Sequence, residues 1–157
     1  MTRLYGRSKN GKRCYDKVPN GRWETVTVLS SIRLDGESES VMFQGAVDRA
    51  MFDAYIEQIL GPSLRPGDIV VMDNLGSHKS QAAQKFVESC SGSYLFLPAY
   101  SPDFNPIEKM WSKVKQILRS LQARTHEELF DAVTKALNMV TADDAQGWFQ
   151  SCGYVKS

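Results

Sequence analysis

The fold is decided around residues 69–78, which read I-V-V-M-D-N-L-G-S-H. The first four residues are a continuous apolar run between turn-forming residues, a pattern typical of a strand that is covered on both faces. Asp73 follows this run directly, and functional groups in α/β proteins collect at the carboxyl ends of such strands. An aspartate here can equally close a turn through its side chain, with Asn74 and Gly76 as the rest of that turn. This stretch therefore predicts a buried strand and leaves the role of Asp73 open.

Strand and helix patterns alternate on both sides of this strand. A segment rich in Val and Thr and a shorter apolar segment flank Asp35-Gly36, a dipeptide typical of hairpin turns. The predicted elements in chain order are strands over 23–33 and 41–44, a helix capped by Asp48, the strand over 69–72, a helix over 82–90, a strand over 94–97, helices capped by Asn105 and Thr125, and a short helix over 141–149. A hairpin followed by alternating helices and strands indicates an α/β fold with a mixed sheet. We expect one domain over residues 1–157, because no repeat or linker interrupts the pattern.

The helix capped by Asn105 has the clearest pattern in the chain. Pro106 suits its first position, and a core-facing stripe follows at steps of four and three residues. The members of this stripe are Ile107, Trp111, Val114, Leu118 and Leu121. Glu108 lies three residues after the cap, where a glutamate can satisfy the backbone of Asn105 in a capping box. Glu108 also heads a second stripe beside the core face, which continues through Ser112, Lys115 and Arg119. A carboxylate at the head of a basic stripe suits a metal ion next to a phosphate backbone.

Length and composition exclude several classes of protein. The chain has 157 residues, of which 42% are hydrophobic and 24% charged, so it is neither disordered nor fibrous. Its apolar runs are only a few residues long and its first residues include no apolar core segment, so the sequence predicts neither a transmembrane helix nor a signal peptide. The three cysteines stand at unrelated spacings. That pattern fits a reducing cytoplasm and favours neither a zinc site nor a disulfide framework.

The net charge of +1 hides two basic segments. Residues 1–17 carry six basic side chains and one acidic, residues 107–124 carry five and one, and the rest of the chain is acidic. Such segments can form a face that binds a polyanion, or they can be solvated surfaces with no ligand. The candidate contacts to nucleic acid are Arg3, Arg7, Lys113, Lys115 and Arg119.

Two motifs at a fixed spacing carry a family resemblance. They are V-V-M-D-N-L-G-S-H-K over 70–79 and L-P-A-Y-S-P-D-F-N-P-I-E-K-M-W-S-K-V-K over 97–115, with 34 residues between Asp73 and Glu108. Together they resemble the DDE transposases of bacterial insertion sequences in the mariner superfamily. Further landmarks are R-L-Y-G-R over 3–7, G-A-V-D over 45–48, R-P-G-D over 65–68 and C-G-Y over 152–154, so the resemblance extends over nearly the whole chain.

The resemblance implies a ribonuclease-H-like fold, a mixed sheet flanked by helices, and cut-and-paste DNA chemistry. In this family three carboxylates hold two divalent metal ions, Mg²⁺ or Mn²⁺, and by the match Asp73 is the second carboxylate and Glu108 the third. His78 and Asn105 become candidates for supporting these ligands, although a lone histidine in such a turn can also be a structural hydrogen-bonding residue. The implied partner is DNA, as transposon ends and target, and we expect a homo-oligomeric active form in the cytoplasm at the nucleoid, with no membrane partner.

The chain departs from the family pattern at its start. The family's first aspartate lies on a central strand just upstream of the segment that matches residues 3–7, and no acidic residue precedes Asp16 here. The family's N-terminal helix-turn-helix region is also outside the match. Two hypotheses therefore stay open. The chain is either a metal-dependent DNA endonuclease and strand transferase that an upstream segment completes, or a non-catalytic fragment that binds DNA or full-length transposase.

Overall fold

Two short sheets lie at the centre of the fold in this computed structural model, which describes residues 25–123 and 125–154. The strands are β1 (Val26–Ser30), β2 (Ser40–Gln44), β3 (Ile69–Met72) and β4 (Ser93–Phe96), and the helices are α1 (Arg49–Tyr55), α2 (Gln81–Ser89), α3 (Pro106–Leu121), α4 (His126–Asn138) and α5 (Ala142–Ser151). A π-helical turn (Ile56–Leu60) and a 3₁₀ turn (Gly61–Ser63) extend α1, and 3₁₀ turns also span Gly76–His78 and Pro102–Phe104. The predicted order of strands and helices is confirmed, and none of these helices is long and apolar enough to cross a membrane.

The two sheets differ in strand direction. β1 runs antiparallel to β2, and a turn that includes Gly36 at a φ of 89° joins them, as the Asp35-Gly36 dipeptide predicts. β3 and β4 are parallel and are connected through α2. Within the described residues each sheet has only these two strands, so a single continuous mixed sheet is not formed there.

Side-chain caps start the helices where the sequence places them. Asp48 accepts a hydrogen bond from the Met51 backbone nitrogen at 2.8 Å at the start of α1. Thr125 and Glu128 form the predicted capping box at the start of α4, each side chain bonding the other residue's backbone nitrogen. These interactions are local, which is why the sequence predicts them well.

The hairpin of β1 and β2 separates two apolar clusters. One cluster is built mainly from α1, the π-helical turn, α2 and the inner side chains of β3, and Leu29 packs against it. The other is built from α3 and α4, and Val28 packs against that one. Because neighbouring residues of a strand point to opposite faces, the hairpin is covered by helices on both sides. The result is a layered α/β arrangement.

Among residues 25–123 and 125–154, a gap separates β1 from β3. Both strands line one cavity of about 1040 Å³. An ion pair closes the gap at one end: the Arg33 guanidinium, just after β1, donates to both carboxylate oxygens of Asp68, just before β3, at 2.7 and 2.8 Å. The other end of β3 leads directly to Asp73.

The buried face of α3 differs from the predicted stripe. Met110 is fully buried, although the predicted stripe does not include it, whereas Leu121 is 38% exposed. Trp111 is only partly buried and lines the cavity. The helix is covered by α4 and α5 on one side and faces the gap on the other, and this tertiary arrangement selects Met110, Val114 and Leu118 as the buried core residues.

Candidate active site

Asp73 stands at the carboxyl end of β3, as predicted, and its side chain is 42% exposed. The backbone nitrogen of Leu75 donates to its Oδ1 at 3.4 Å, which is the turn-closing contact that the sequence also allowed. The same oxygen lies 2.5 Å from Nδ1 of His78. Both contacts use Oδ1, and no described residue bonds Oδ2, so the structural and the chemical interpretation of Asp73 are compatible.

His78 is held on two sides. Its Nδ1 meets Asp73, and its ring stacks on the ring of Phe52 with centroids 4.6 Å apart and planes inclined by 27°. Phe52 lies on the buried face of α1 and is only 2% exposed, so core packing fixes the position of its ring. The sequence pattern gives no indication of this stack, because the stack depends on how α1 packs against the 3₁₀ turn at 76–78.

Glu108 occupies the first turn of α3. Asn105 caps this helix by accepting a hydrogen bond from the Ile107 backbone nitrogen at 3.3 Å, and Glu108 does not complete a capping box. Its carboxylate makes no hydrogen bond or ion pair to any residue within 25–123 or 125–154, and Glu108 is exposed. The capping interpretation of Glu108 is therefore wrong, which leaves its carboxylate available to a ligand.

Four candidate residues line the cavity between β1 and β3. They are Asp73, His78, Asn105 and Glu108. Asp73 and His78 follow the carboxyl end of β3. Asn105 and Glu108 lie after the neighbouring strand β4, where the loop leads into the first turn of α3. This junction is tight, because the Leu97 backbone nitrogen donates to the Met72 carbonyl at 2.7 Å. The two carboxylates that lie 34 residues apart in sequence thus face one cavity.

Asp73 and Glu108 are the kind of ligand that a divalent cation prefers, but two carboxylates are fewer than a complete site needs. Carboxylate oxygens that remain partly solvated are the ligands that Mg²⁺ prefers. However, among residues 25–123 and 125–154 no group of three or more His, Cys, Asp and Glu side chains is arranged to hold a metal ion. Asp73 and Glu108 would be the protein ligands, and a full set needs at least one more donor.

Some basic side chains of α3 bind other residues of the fold, and others are exposed to solvent. Lys113 forms an ion pair with Asp144 on α5, and Lys109 donates to Ser151 at 2.8 Å. Lys115 and Arg119 are exposed and have no partner in the described part of the chain. Of the predicted nucleic-acid contacts, Lys115 and Arg119 are thus available and Lys113 is engaged. Arg3 and Arg7 lie outside the described residues.

The C-terminal residues hold the loop that leads to Glu108. The thiol of Cys152 donates to the Asp103 carbonyl at 3.1 Å, and the hydroxyl of Tyr154 donates to the Phe104 carbonyl at 2.8 Å. Burial raises the pKa of Tyr154, so this hydroxyl keeps its proton over the physiological range. Sequence reasoning noted C-G-Y as a landmark without a role; its structural role is to fix the 3₁₀ turn before α3.

The chain is similar to known proteins both in sequence and in fold. The family described as DDE superfamily endonuclease matches residues 1–130, a span that includes Asp73 and Glu108. The Tcb2 transposase of Caenorhabditis briggsae is 27% identical over 89 residues, covering 54% of this chain and 33% of that protein. A crystal structure of the Mos1 strand transfer complex matches with a TM-score of 0.72 at 16% identity, over 94% of this chain and 46% of that chain, which shows a shared fold.

This chain thus spans a third to about a half of the relatives that it resembles. Its helices and strands adopt the ribonuclease-H-like arrangement of the Mos1 protein, and its two cavity-facing carboxylates lie within the family match. The chain belongs to the DDE superfamily endonucleases.

Proposed function

We propose that this chain is the catalytic portion of a transposase of the kind carried by bacterial insertion sequences, acting as a metal-dependent DNA endonuclease and strand transferase. The observation that carries this proposal is the placement of Asp73 and Glu108 on one cavity, at the carboxyl end of a strand and in the first turn of a helix. The partners are the transposon ends and the target DNA, met at the nucleoid, and the active form is a homo-oligomer.

Each residue of the site has a distinct task in this proposal. Asp73 and Glu108 supply oxygen ligands, and His78 fixes the orientation of the Asp73 carboxylate through its 2.5 Å contact. Bound Mg²⁺ or Mn²⁺ ions would lower the pKa of the attacking water or 3′-hydroxyl and offset the charge on the leaving oxygen. Lys115 and Arg119, exposed on α3, would hold the phosphate backbone beside the site.

A third carboxylate is needed to complete this site, and we propose that an upstream segment provides it. The two ligands present here suit the second and third positions of a three-carboxylate set, and the described residues offer no other candidate group. Such a segment could be joined to this chain or supplied as a separate polypeptide. Without it, we expect weak metal binding and no DNA cleavage.

Metal binding tests the assignment of the two carboxylates. We expect Mn²⁺ to bind the 157-residue chain weakly, and Asp73→Asn or Glu108→Gln to weaken it by about tenfold or more. Isothermal titration calorimetry measures this, with Asp131→Asn on the exposed face of α4 as the matched control. Equal affinity in all four proteins would remove both residues from the site.

DNA cleavage tests the need for an upstream segment. A fusion that adds this segment should nick the element's ends with Mg²⁺, and the same fusion with its aspartate changed to alanine should fold equally well without nicking. Mg²⁺-dependent cleavage by residues 1–157 alone, lost in Asp73→Asn, would show instead that this chain holds a complete ligand set.

A second candidate function is a non-catalytic fragment that binds DNA or full-length transposase. The shortage of metal ligands among the described residues favours it. The DNA upstream of the Met1 codon discriminates between the two functions. An overlapping frame that encodes an aspartate-bearing strand and a helix-turn-helix favours the enzyme, and an unrelated upstream region favours the fragment.

A further inference from the structure

Exposed aromatic side chains are gathered in one place on this protein. Among residues 25–123 and 125–154, the exposed aromatic residues are Tyr100 at 102%, Phe104 at 53% and Tyr154 at 39%. Single exposed apolar residues scattered over a surface are normal, but these three all lie at the loop between β4 and α3 or in contact with it. We call these three side chains the aromatic patch.

Hydrogen bonds fix the backbone that carries the aromatic patch. The Tyr154 hydroxyl donates to the Phe104 carbonyl at 2.8 Å. The Phe104 backbone nitrogen donates to the carbonyl of Ser101, which directly follows Tyr100, at 3.3 Å. Tyr154 also packs edge-on against Phe149, with ring centroids 5.8 Å apart. The loop is thus ordered before any ligand binds, which lowers the entropy cost of binding.

The backbone of Tyr100 adopts a conformation that its side chain disfavours. Its φ of 58° lies in the left-handed region, where glycine or asparagine fits better than an aromatic residue. The ring gains no packing within the described part of the chain, because it is fully exposed. Residues in disfavoured conformations concentrate at functional sites, where the surrounding structure holds them. An aromatic ring held in solvent in this way is typical of a binding residue.

The aromatic patch adjoins the candidate active site. Phe104 directly precedes Asn105, the cap of α3, and Glu108 lies in the first turn of that helix. Tyr154 lines the same cavity as Asp73 and Glu108. A DNA phosphate held at these two carboxylates would therefore bring its neighbouring nucleotides next to the patch.

A basic flank leads away from the same site along α3. Lys115 lies seven residues after Glu108, which places it on the same face of the helix, about 10 Å along the axis. Arg119 follows one turn later, and both side chains are exposed without a partner in 25–123 and 125–154. Proteins that bind single-stranded nucleic acid combine such charges, which follow the phosphate backbone, with aromatic rings on which bases stack.

The size of the aromatic patch favours a nucleobase over a protein surface. A tyrosine or phenylalanine side chain buries roughly 200 Å² when it is fully covered, and two of the three are already partly covered. A stable protein interface needs roughly 800 Å² from each partner. A few flat rings beside a basic helix flank instead match a few flat bases on a charged backbone.

We propose that the aromatic patch binds unpaired nucleobases of the DNA strand whose phosphate lies at Asp73 and Glu108, with Tyr100 as the principal stacking residue. The substrate is then single-stranded DNA, or a duplex end whose bases have separated. Intact duplex does not expose the faces of its bases, because they are stacked on one another. The choice of DNA as the ligand rests on the proposed function.

Affinity for single-stranded DNA tests the stacking role of Tyr100. We expect Tyr100→Leu to weaken binding of a labelled single-stranded oligonucleotide to the 157-residue chain by about fivefold or more, the loss for one stacked base. Tyr100→Phe should retain the affinity, because the ring stacks and the hydroxyl does not. Both replacements keep a side chain at the left-handed position, so they are matched in backbone strain. Fluorescence anisotropy measures both affinities.

Three controls separate stacking from other effects. The slope of log affinity against log salt should be the same for Tyr100→Leu and the unsubstituted chain, because no charge is removed. Affinity for an intact duplex of equal length should change by less than about twofold. Leu121→Ala, an exposed apolar residue at the far end of α3, should leave single-strand affinity unchanged. Equal affinities of Tyr100→Leu and Tyr100→Phe, or an equal loss on duplex, would overturn the proposal.

Two further outcomes distinguish this proposal from the proposed function. Binding of neither single-stranded nor duplex DNA by the unsubstituted chain would overturn both. Binding of duplex without binding of single strands would overturn only the role of the aromatic patch. Analytical ultracentrifugation completes the test, because a dimer that Tyr100→Leu dissociates would assign the patch to a second copy of the chain and overturn the proposal.

Discussion

His78 shows how a single residue links the core to the candidate site. Its ring lies between the Phe52 ring and the Asp73 carboxylate. The stack fixes the plane of the imidazole, and the imidazole fixes one oxygen of Asp73. A metal ligand held in this way loses less freedom on binding an ion than a carboxylate that rotates in solvent.

Substitutions of His78 should therefore change metal affinity. We expect His78→Ala to weaken Mn²⁺ binding by about tenfold, since it removes the contact to Asp73. His78→Asn should retain most of the affinity, because its amide can donate in place of Nδ1. Calorimetric titration of the three proteins measures the difference, and an unchanged affinity in His78→Ala would show that Asp73 needs no such support.

Among the elements, α3 carries both a candidate site residue and structural positions. Its first turn presents Glu108 to the cavity, its middle packs into the core, and Lys113 binds Asp144 of α5. Asp144 has a second task, because its side chain accepts a hydrogen bond from the backbone nitrogen of its own helix cap, Thr141, at 2.9 Å. The hydrogen bond from Lys113 lowers the pKa of Asp144 to about 2.

The link between α3 and α5 should depend on pH. Because the folded pKa of Asp144 lies below its ordinary value near 3.8, its contribution is fully present above about pH 4 and is lost as the pH falls toward 2. Asp144→Asn should lower the free energy of unfolding by roughly 1 kcal/mol at pH 7, since it weakens both the cap and the ion pair. Urea unfolding across this pH range measures it. A difference from the unsubstituted protein that persisted at pH 2 would contradict this origin.

The exposed flank of α3 should govern nonspecific DNA affinity. Replacing Lys115 and Arg119 together by glutamine should reduce the slope of log affinity against log salt by about 1.8, the loss expected for two phosphate contacts. Lys113→Gln should change the slope much less, since Lys113 is engaged with Asp144. Fluorescence anisotropy of a labelled duplex between 50 and 200 mM salt, the conventional range for such measurements, gives the slopes. An unchanged slope in the double variant would show that this flank is merely solvated.

For the molecule as a whole, the ion pair between Arg33 and Asp68 connects the two sheets. Its side chains are 20% and 23% exposed, and both guanidinium nitrogens are used. The hydrogen bonds from Arg33 hold the pKa of Asp68 below its usual range. Arg65 extends the network to Asp35 and Glu37, but this second set is largely exposed.

Breaking the Arg33–Asp68 ion pair should lower the free energy of unfolding more than breaking the ion pairs of Arg65 with Asp35 and Glu37. We expect Arg33→Gln to lower the free energy of unfolding by about 2 kcal/mol, as for a paired charge that loses its hydrogen bonds. Arg65→Gln should lower it by less than about 1 kcal/mol, because its partners are in solvent. The effect of Arg33→Gln should fade below about pH 4, as Asp68 is protonated. Equal losses in the two variants would contradict the role of the Arg33–Asp68 ion pair.

The sequence by itself determined the features that depend on neighbouring residues. The strand over 69–72, the turn at Asp35-Gly36 and the caps at Asp48, Asn105 and Thr125 are confirmed. Each rests on a few dihedral angles or on a hydrogen bond spanning two or three residues, so no distant contact is needed to form it. The family resemblance, carried by the two motifs, also pointed to Asp73 and Glu108, which the fold places on one cavity.

Only the tertiary structure decided which groups meet across the chain. It buried Met110 in place of Leu121, stacked His78 on Phe52, and engaged Lys113 with Asp144 while leaving Lys115 exposed. It also kept β1 and β3 in separate sheets within the described residues. Helical periodicity gives the direction in which a side chain leaves the helix axis, but it does not give the position of the neighbouring layer. These outcomes therefore depend on how the layers pack.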